Sequence, residues 1–267
     1  ILAIVFLVIA LARPQSTDNW SNSTTYGIDI VLAMDVSTSM LAQDLRPDRL
    51  EASKDVAMEF INSRPYDRIG LVVFSGESFT QCPLTTDHTV LLNLLKDVKT
   101  GIIEDGTAIG MGLANAVTRL KDSKSVSKTI ILLTDGVNNR GDIDPLTAAE
   151  IAQTFKIRVY TVGVGTEGMA PYPFQTPFGI QMQSVEVHID EDILKEISRL
   201  TGGKYFRATD NKKLKEIYKE IDRLEKSRIE VREYSKKNEE ALPFMLIAGL
   251  LILLEIIFKY TIFRSIP

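Results

Sequence analysis

Residues 28–39 read IDIVLAMDVSTS. The first seven form a short, β-branched, nearly continuous apolar run, as expected of a strand buried on both faces. The run stops at Asp35-Val36-Ser37-Thr38-Ser39, where an acid is followed by serines two and four residues later. A buried strand that ends in a polar loop points to a sheet whose chemistry lies beyond the strand's carboxyl end.

Working outward, strand and helix patterns alternate. A helical stripe of Leu50, Val56, Phe60 and Ile61 lies within residues 49–62, and Ile69–Phe74 (IGLVVF) reads as a second buried strand. Residues 77–82 suit a short edge strand, 89–98 a helix, and 107–120 a helix that starts in a glycine-rich turn. Thr129–Leu133 is a third buried strand, 146–155 a helix and 158–164 a fourth strand. Residues 190–200 read as a helix, 203–207 as a short strand and 211–224 as a charged amphipathic helix. The alternation predicts an α/β fold, a doubly wound, largely parallel sheet with helices on both faces. Residues 168–188 break the rhythm with Pro171, Pro173 and Pro177, and read as an inserted loop or loose hairpin.

Composition bounds the function. The 267 residues carry 35 acids and 31 bases, a formal charge of −4, which argues against nucleic-acid binding. One cysteine, Cys82, excludes an intramolecular disulfide framework. Two histidines, His88 and His188, exclude a histidine-rich metal site, so a bound metal must be held mainly by oxygen.

Three loops offer that oxygen. Asp35, Ser37 and Ser39 follow the first strand, Asp105-Gly106-Thr107 opens a helix, and Thr134-Asp135-Gly136 follows the third buried strand. Carboxylates from Asp35 and Asp135 with hydroxyls from Ser37, Ser39 and Thr107 suit a small hard dication. Mg²⁺ takes six oxygens, keeps several waters and uses one or two carboxylates. Mn²⁺ and Ca²⁺ are the alternatives. Hydroxyl ligands add no charge, so such a metal stays electrophilic and leaves a position for an acid from another molecule.

The termini are different in kind. Residues 1–12 read ILAIVFLVIALA, ~18 Å of helix, and are read with Arg13 as the end of a truncated membrane helix over 1–13. Residues 14–26 read as a linker, 27–226 as the folded domain, 227–241 as a second linker and 242–263 as a membrane span. Lys259 and Arg264 after that span lean towards a cytoplasmic C-terminus, with the domain on the periplasmic side.

Asp35-x-Ser37-x-Ser39, Thr107 and Asp135 resemble the metal-ion-dependent adhesion site (MIDAS) of von Willebrand factor type A domains. The resemblance covers about residues 27–225. It implies that Asp35, Ser37, Ser39 and Thr107 ligate Mg²⁺, that Asp135 acts through water, and that a partner's acidic side chain completes the shell. Leu11–Gln15 (LARPQ), Phe74–Phe79 (FSGESF) and Thr201–Ala208 (TGGKYFRA) narrow the likeness to the bacterial aerotolerance (Bat) family, and within it to the BatA members. That resemblance implies an inner-membrane, non-catalytic assembly module. Its implied partners are a sibling von Willebrand A protein and a MoxR-type AAA+ ATPase.

Other motifs fall away. Gly163–Gly168 has dinucleotide-fingerprint spacing but is followed by Met169-Ala170-Pro171, which is poor helix sequence. Residues 101–107 have P-loop glycine spacing without the lysine. No G-x-S-x-G nucleophile elbow is present. A structural scaffold with an unused metal site, and a metal-dependent hydrolase, are the competing readings.

Overall fold

Strand β1 (Asp29–Asp35) is buried at every residue, as its apolar run requires. The chain then runs through a 3₁₀ turn (Thr38–Leu41), α1 (Arg49–Asn62), β2 (Arg68–Phe74), β3 (Ser78–Thr85), α2 (His88–Lys96) and α3 (Ile109–Leu120). It continues with β4 (Lys128–Thr134), α4 (Pro145–Thr154), β5 (Arg158–Val164), β6 (Gly168–Thr176) and β7 (Gly179–Val187). The elements α5 (Glu191–Thr201), β8 (Tyr205–Ala208) and α6 (Asn211–Glu233) follow. The structure is a computed structural model that describes residues 8, 11–12, 15–16, 27–177, 179–233, 238–239 and 241–261. It forms two units, residues 25–227 and the terminal segments 1–24 with 228–267.

The six-stranded sheet has the order β3-β2-β1-β4-β5-β8, with every neighbour parallel except the antiparallel edge strand β3. Parallel strands covered on both faces are apolar throughout. Val31, Ala33, Val72, Phe74, Ile130, Leu132 and Val159 pack with α3, α4 and α5 in one cluster. The alternate residues Ile30, Leu32, Met34, Leu71, Val73, Ile131, Leu133 and Tyr160 are buried on the other face. There α1 meets α6 edge-on through Phe60 and Tyr218, ring centroids 5.0 Å apart. From β1 the chain winds outward to β2 and β3, then returns across β1 to β4 on its other side. The loops after β1 and β4 therefore diverge, which opens a crevice at their carboxyl ends.

Several boundaries differ from the sequence reading. The edge strand is longer, because Pro83 sits where an edge tolerates a missing donor. The strand expected at 203–207 is Tyr205–Ala208, and α6 continues beyond residue 224 to Glu233. Of the inserted loop or loose hairpin expected at 168–188, the structure shows the hairpin, with regular nine-residue strands at Gly168–Thr176 and Gly179–Val187. Alternate residues of an antiparallel strand turn their N–H groups to the outer edge. Prolines two apart, at 171 and 173, are compatible with that pattern.

In the terminal unit, Gln15–Ser16 pairs antiparallel with Asn238–Glu239. A 21-residue helix, α7 (Ala241–Thr261), follows. Its described side chains, residues 245–258, are mostly exposed and apolar, Met245, Leu246, Leu250 and Leu253 among them. Among the described residues no helix is long and apolar enough to cross a membrane. Most of the segment expected to end a membrane helix, 1–13, lies outside the described residues, as do 262–263 of the expected span.

Candidate metal centre

The parallel register pairs Met34 with Leu133, so the two strands end side by side and deliver Asp35 and Asp135 to one point. Both carboxylates are buried. Asp35 Oδ1 accepts the backbone N–H of Ser37 at 2.9 Å, and Oδ2 accepts the Thr134 hydroxyl at 2.6 Å. Ser37 and Ser39 share a hydroxyl–hydroxyl hydrogen bond of 2.9 Å. Ser39 Oγ donates to Asp135 Oδ1 at 2.7 Å. A continuous chain of oxygens thus runs from Ser37 through Ser39 to Asp135.

Thr107 closes the third side. Its hydroxyl stands 3.0 Å from where a Cβ on Gly136 would lie, against the loop that follows β4. Its N–H donates to Asn139 Oδ1 (2.8 Å), and the N–H of Ile109 donates to Asn138 Oδ1 (2.9 Å). Helix α3 therefore starts at Ile109, not at Thr107: side chains of the 136–140 loop take the N–H groups that its own cap residue, Ala108, cannot. This also locks the Thr107 loop to the Asp135 loop.

Behind Asp135 lies a residue the sequence did not single out. Arg49, fully buried at the start of α1, donates from one terminal nitrogen to Asp135 Oδ2 at 2.8 Å. Its other two guanidinium nitrogens fork onto Asp44 at 2.7 and 2.6 Å. Asp44 also accepts the N–H and hydroxyl of Thr166, at 2.7 and 3.0 Å. Gly165 has φ +122°, and a Cβ there would stand 2.4 Å from the guanidinium carbon, so only glycine leaves room for this arginine. A cation in the first turn of a helix opposes the helix dipole. That local misfit was the one available signal that Arg49 has a tertiary partner.

The electrostatics follow from crowding. Burial, and then the neighbouring Asp135 charge, push Asp35 up to about 7. Burial also raises Asp135, against the downward pull of Arg49. Burial works against ionised Asp44 too, but the Arg49 fork and Thr166 outweigh it and hold Asp44 at about 2. Asp105 is engaged by the N–H and hydroxyl of Thr38, at 3.0 and 2.8 Å. Of the five residues expected from the sequence, Ser39, Thr107 and Asp135 line one crevice, and Asp35 and Ser37 are buried beside them, Ser37 bonded to Ser39 and Asp35 to Ser37. Among the described residues, no three His, Cys, Asp or Glu side chains converge, so serine and threonine hydroxyls must make up any oxygen shell.

The profile of the von Willebrand factor type A domain matches residues 29–220. The chain belongs to that family. The von Willebrand A domain of this chain is similar to BatB from Bacteroides thetaiotaomicron, with 31% identity and a TM-score of 0.66 over 75% of this chain and 100% of that one. A serine-substituted aerotolerance-related membrane protein from Bacteroides fragilis is 30% identical, with a TM-score of 0.64 over 74% of this chain and 98% of that one. A UPF0353 protein from Nocardia farcinica is 29% identical over 94% of this chain and 76% of its own length. Proximal thread matrix protein 1 of the mussel byssus, solved with a zinc-occupied MIDAS motif, shares the fold at 23% identity, with a TM-score of 0.57 over 74% of this chain and 45% of that one.

The von Willebrand A crevice has a further wall. A cavity of about 480 Å³ is lined by Ser39, Thr107 and Asp135 on one side and by Tyr172, Phe174 and residues 185–188 of the hairpin on the other. The hairpin is tied to the loop after the 3₁₀ turn, where Gln43 N–H donates to Pro171 O at 2.8 Å. His188 lies 3.3 Å from Glu186 at the rim. His88 is the first residue of α2, and its ring meets the Asp67 carbonyl at 2.9 Å. Cys82 is buried, and burial pushes its thiol up.

Proposed function

We propose that this von Willebrand A domain is a non-catalytic, metal-dependent binding module. Asp35, Ser37, Ser39 and Thr107 would hold Mg²⁺ directly and Asp135 through water, with Mn²⁺ or Ca²⁺ as substitutes. The carrying observation is the oxygen chain from Ser37 through Ser39 to Asp135, with Asp35 held to the same loop by the Ser37 N–H. Charge supports the fit. Asp135 and Asp44 share the one Arg49 guanidinium, and the neighbouring Asp135 charge adds to burial in raising Asp35. A dication supplies the missing positive charge, and when bound it offers a Lewis-acidic position to a partner's Asp or Glu. The zinc-occupied MIDAS of the mussel byssus protein is an instance of such a site on this fold.

A hydrolase is less well supported. It needs a general base beside the metal, and the nearby acids are committed: Asp44 to Arg49 and Thr166, Asp105 to Thr38. The Bacteroides fragilis relative named as an aerotolerance-related membrane protein, with BatB, supports placing this chain in a membrane-anchored Bat assembly. Within that assembly we assign it to the BatA type, working with a sibling von Willebrand A protein and a MoxR-type ATPase. The apolar sequence from Leu242 to Phe258, with Glu255 its one charge, supports a membrane span over 242–263. Residues 27–226 would then form the domain on the periplasmic face of the inner membrane, joined by linkers at 14–26 and 227–241.

The test is an affinity pull-down of the detergent-solubilised full-length protein with Mg²⁺, with EDTA, and with Asp35→Ala. A partner retained only by the Mg²⁺-loaded parent is the expected result. Partners retained equally in all three arms would overturn the reading in favour of a scaffold with an unused site.

A further inference from the structure

The crevice is larger than its proposed metal chemistry needs. One bound carboxylate fills little of a cavity of about 480 Å³, a size found in pockets that enclose whole ligands. The remaining wall is the β6–β7 hairpin, and its residues alternate. Ala170, Tyr172 and Phe174 share one face of β6, and the register sets Val185 opposite Ala170 and Val187 opposite Gly168 on the same side. Tyr172, Phe174, Val185 and Val187 of that face line the cavity, with Gln183 and Gln181 opposite the two rings. Tyr172 and Phe174 stand 5.0 Å apart between ring centroids, tilted at 60°. Phe174 remains 38% exposed. Two strands alone are marginal in water, and here Ala170 is covered while the Phe174 ring, further along the same face, is left open.

We propose that the hairpin is a specificity wall. The partner presents one acidic residue flanked by a bulky apolar side chain: the acid seats at the Ser39–Thr107–Asp135 side, and the apolar neighbour covers Tyr172, Phe174 and Val187. The inference rests on the metal-dependent reading above. The charges favour this partner over a polyacidic one. The dication side attracts one carboxylate, but Glu186 lines the same cavity and repels a second. The apolar wall offers no cation to a second acid. Arg49, which also lines the cavity, is committed to Asp44 and Asp135.

The test uses a displayed random-peptide library panned on the intact protein in Mg²⁺ and eluted with EDTA. The expected enrichment is Asp or Glu beside Phe, Leu, Ile or Trp. A synthetic peptide of that sequence should bind Tyr172→Ser/Phe174→Ser about tenfold more weakly, the effect of losing one buried large apolar contact. It should not bind Asp35→Ala. Phe174→Ser alone, at an exposed position, serves if the double variant fails to fold, and an intermediate loss is expected. Enriched acids without apolar neighbours, or affinity unchanged by the hairpin variants, would overturn the specificity wall and leave the metal site standing. No EDTA-eluted enrichment would overturn both.

Discussion

Arg49 is the residue on which the geometry of Asp135 most depends. It is buried among acids, and removing one member of a buried ion pair leaves the others uncompensated, at a cost of about 3–5 kcal/mol. Arg49→Met should therefore lower unfolding stability by that amount, read as a fall in the urea midpoint with the slope unchanged. Arg49→Lys should recover only part, because an ammonium cannot fork onto Asp44 while reaching Asp135. A stability of Arg49→Met equal to the parent would sink this account. The contrast with Asp35, Ser37, Ser39 and Asp135 shows what a sequence carries at this scale. Those residues follow buried strands directly, so position along the chain already placed them at a strand end. Arg49 and Asp44 act through a contact with a loop 86 residues away in the chain, and Thr166 meets Asp44 across 122 residues. Local pattern contains neither.

At the scale of the element, strands and helices were legible because burial imposes the 2- and 3.6-residue periods. Their ends were less so, because tertiary partners move them. Helix α3 begins at Ile109 because Asn138 and Asn139 take the N–H groups of Ile109 and Thr107. The 168–188 segment read only as an inserted loop or loose hairpin, because its prolines conceal a regular strand pattern that the cross-strand partner reveals. Helix α6 shows how one element is fastened. Glu225, almost fully buried, accepts from Arg158 Nε at 2.9 Å, from the Tyr160 hydroxyl at 2.6 Å and from Ser127 at 2.8 Å. Burial works against its ionised form, but Arg158 outweighs it and holds the carboxyl below its ordinary value of 4.5. A lowered folded-state pKa stabilises fully above 4.5 and is lost as pH falls through the folded value. Glu225→Gln should therefore cost about 1–3 kcal/mol at pH 7. The gap between parent and variant should close as the pH drops below 4.5 in urea titrations. A gap independent of pH would show that the charge on Glu225 is not what fastens α6.

At the scale of the whole molecule, the sheet order follows from alternation and right-handed crossovers, which leave few arrangements of these strands. The crevice at the reversal of strand order follows in turn. The side of the membrane does not follow from folding at all, since the same domain folds in either compartment and only flanking charge biases it. Cys82 makes that question measurable. It is the only cysteine, it is buried, and burial raises its thiol, so the parent should resist a membrane-impermeant maleimide. Lys124 is exposed on the loop between α3 and β4, and Lys124→Cys adds one reactive thiol without touching the crevice. A domain on the periplasmic face should label fully in intact spheroplasts, and lysis should add nothing. Labelling that appears only after lysis would place the domain in the cytoplasm.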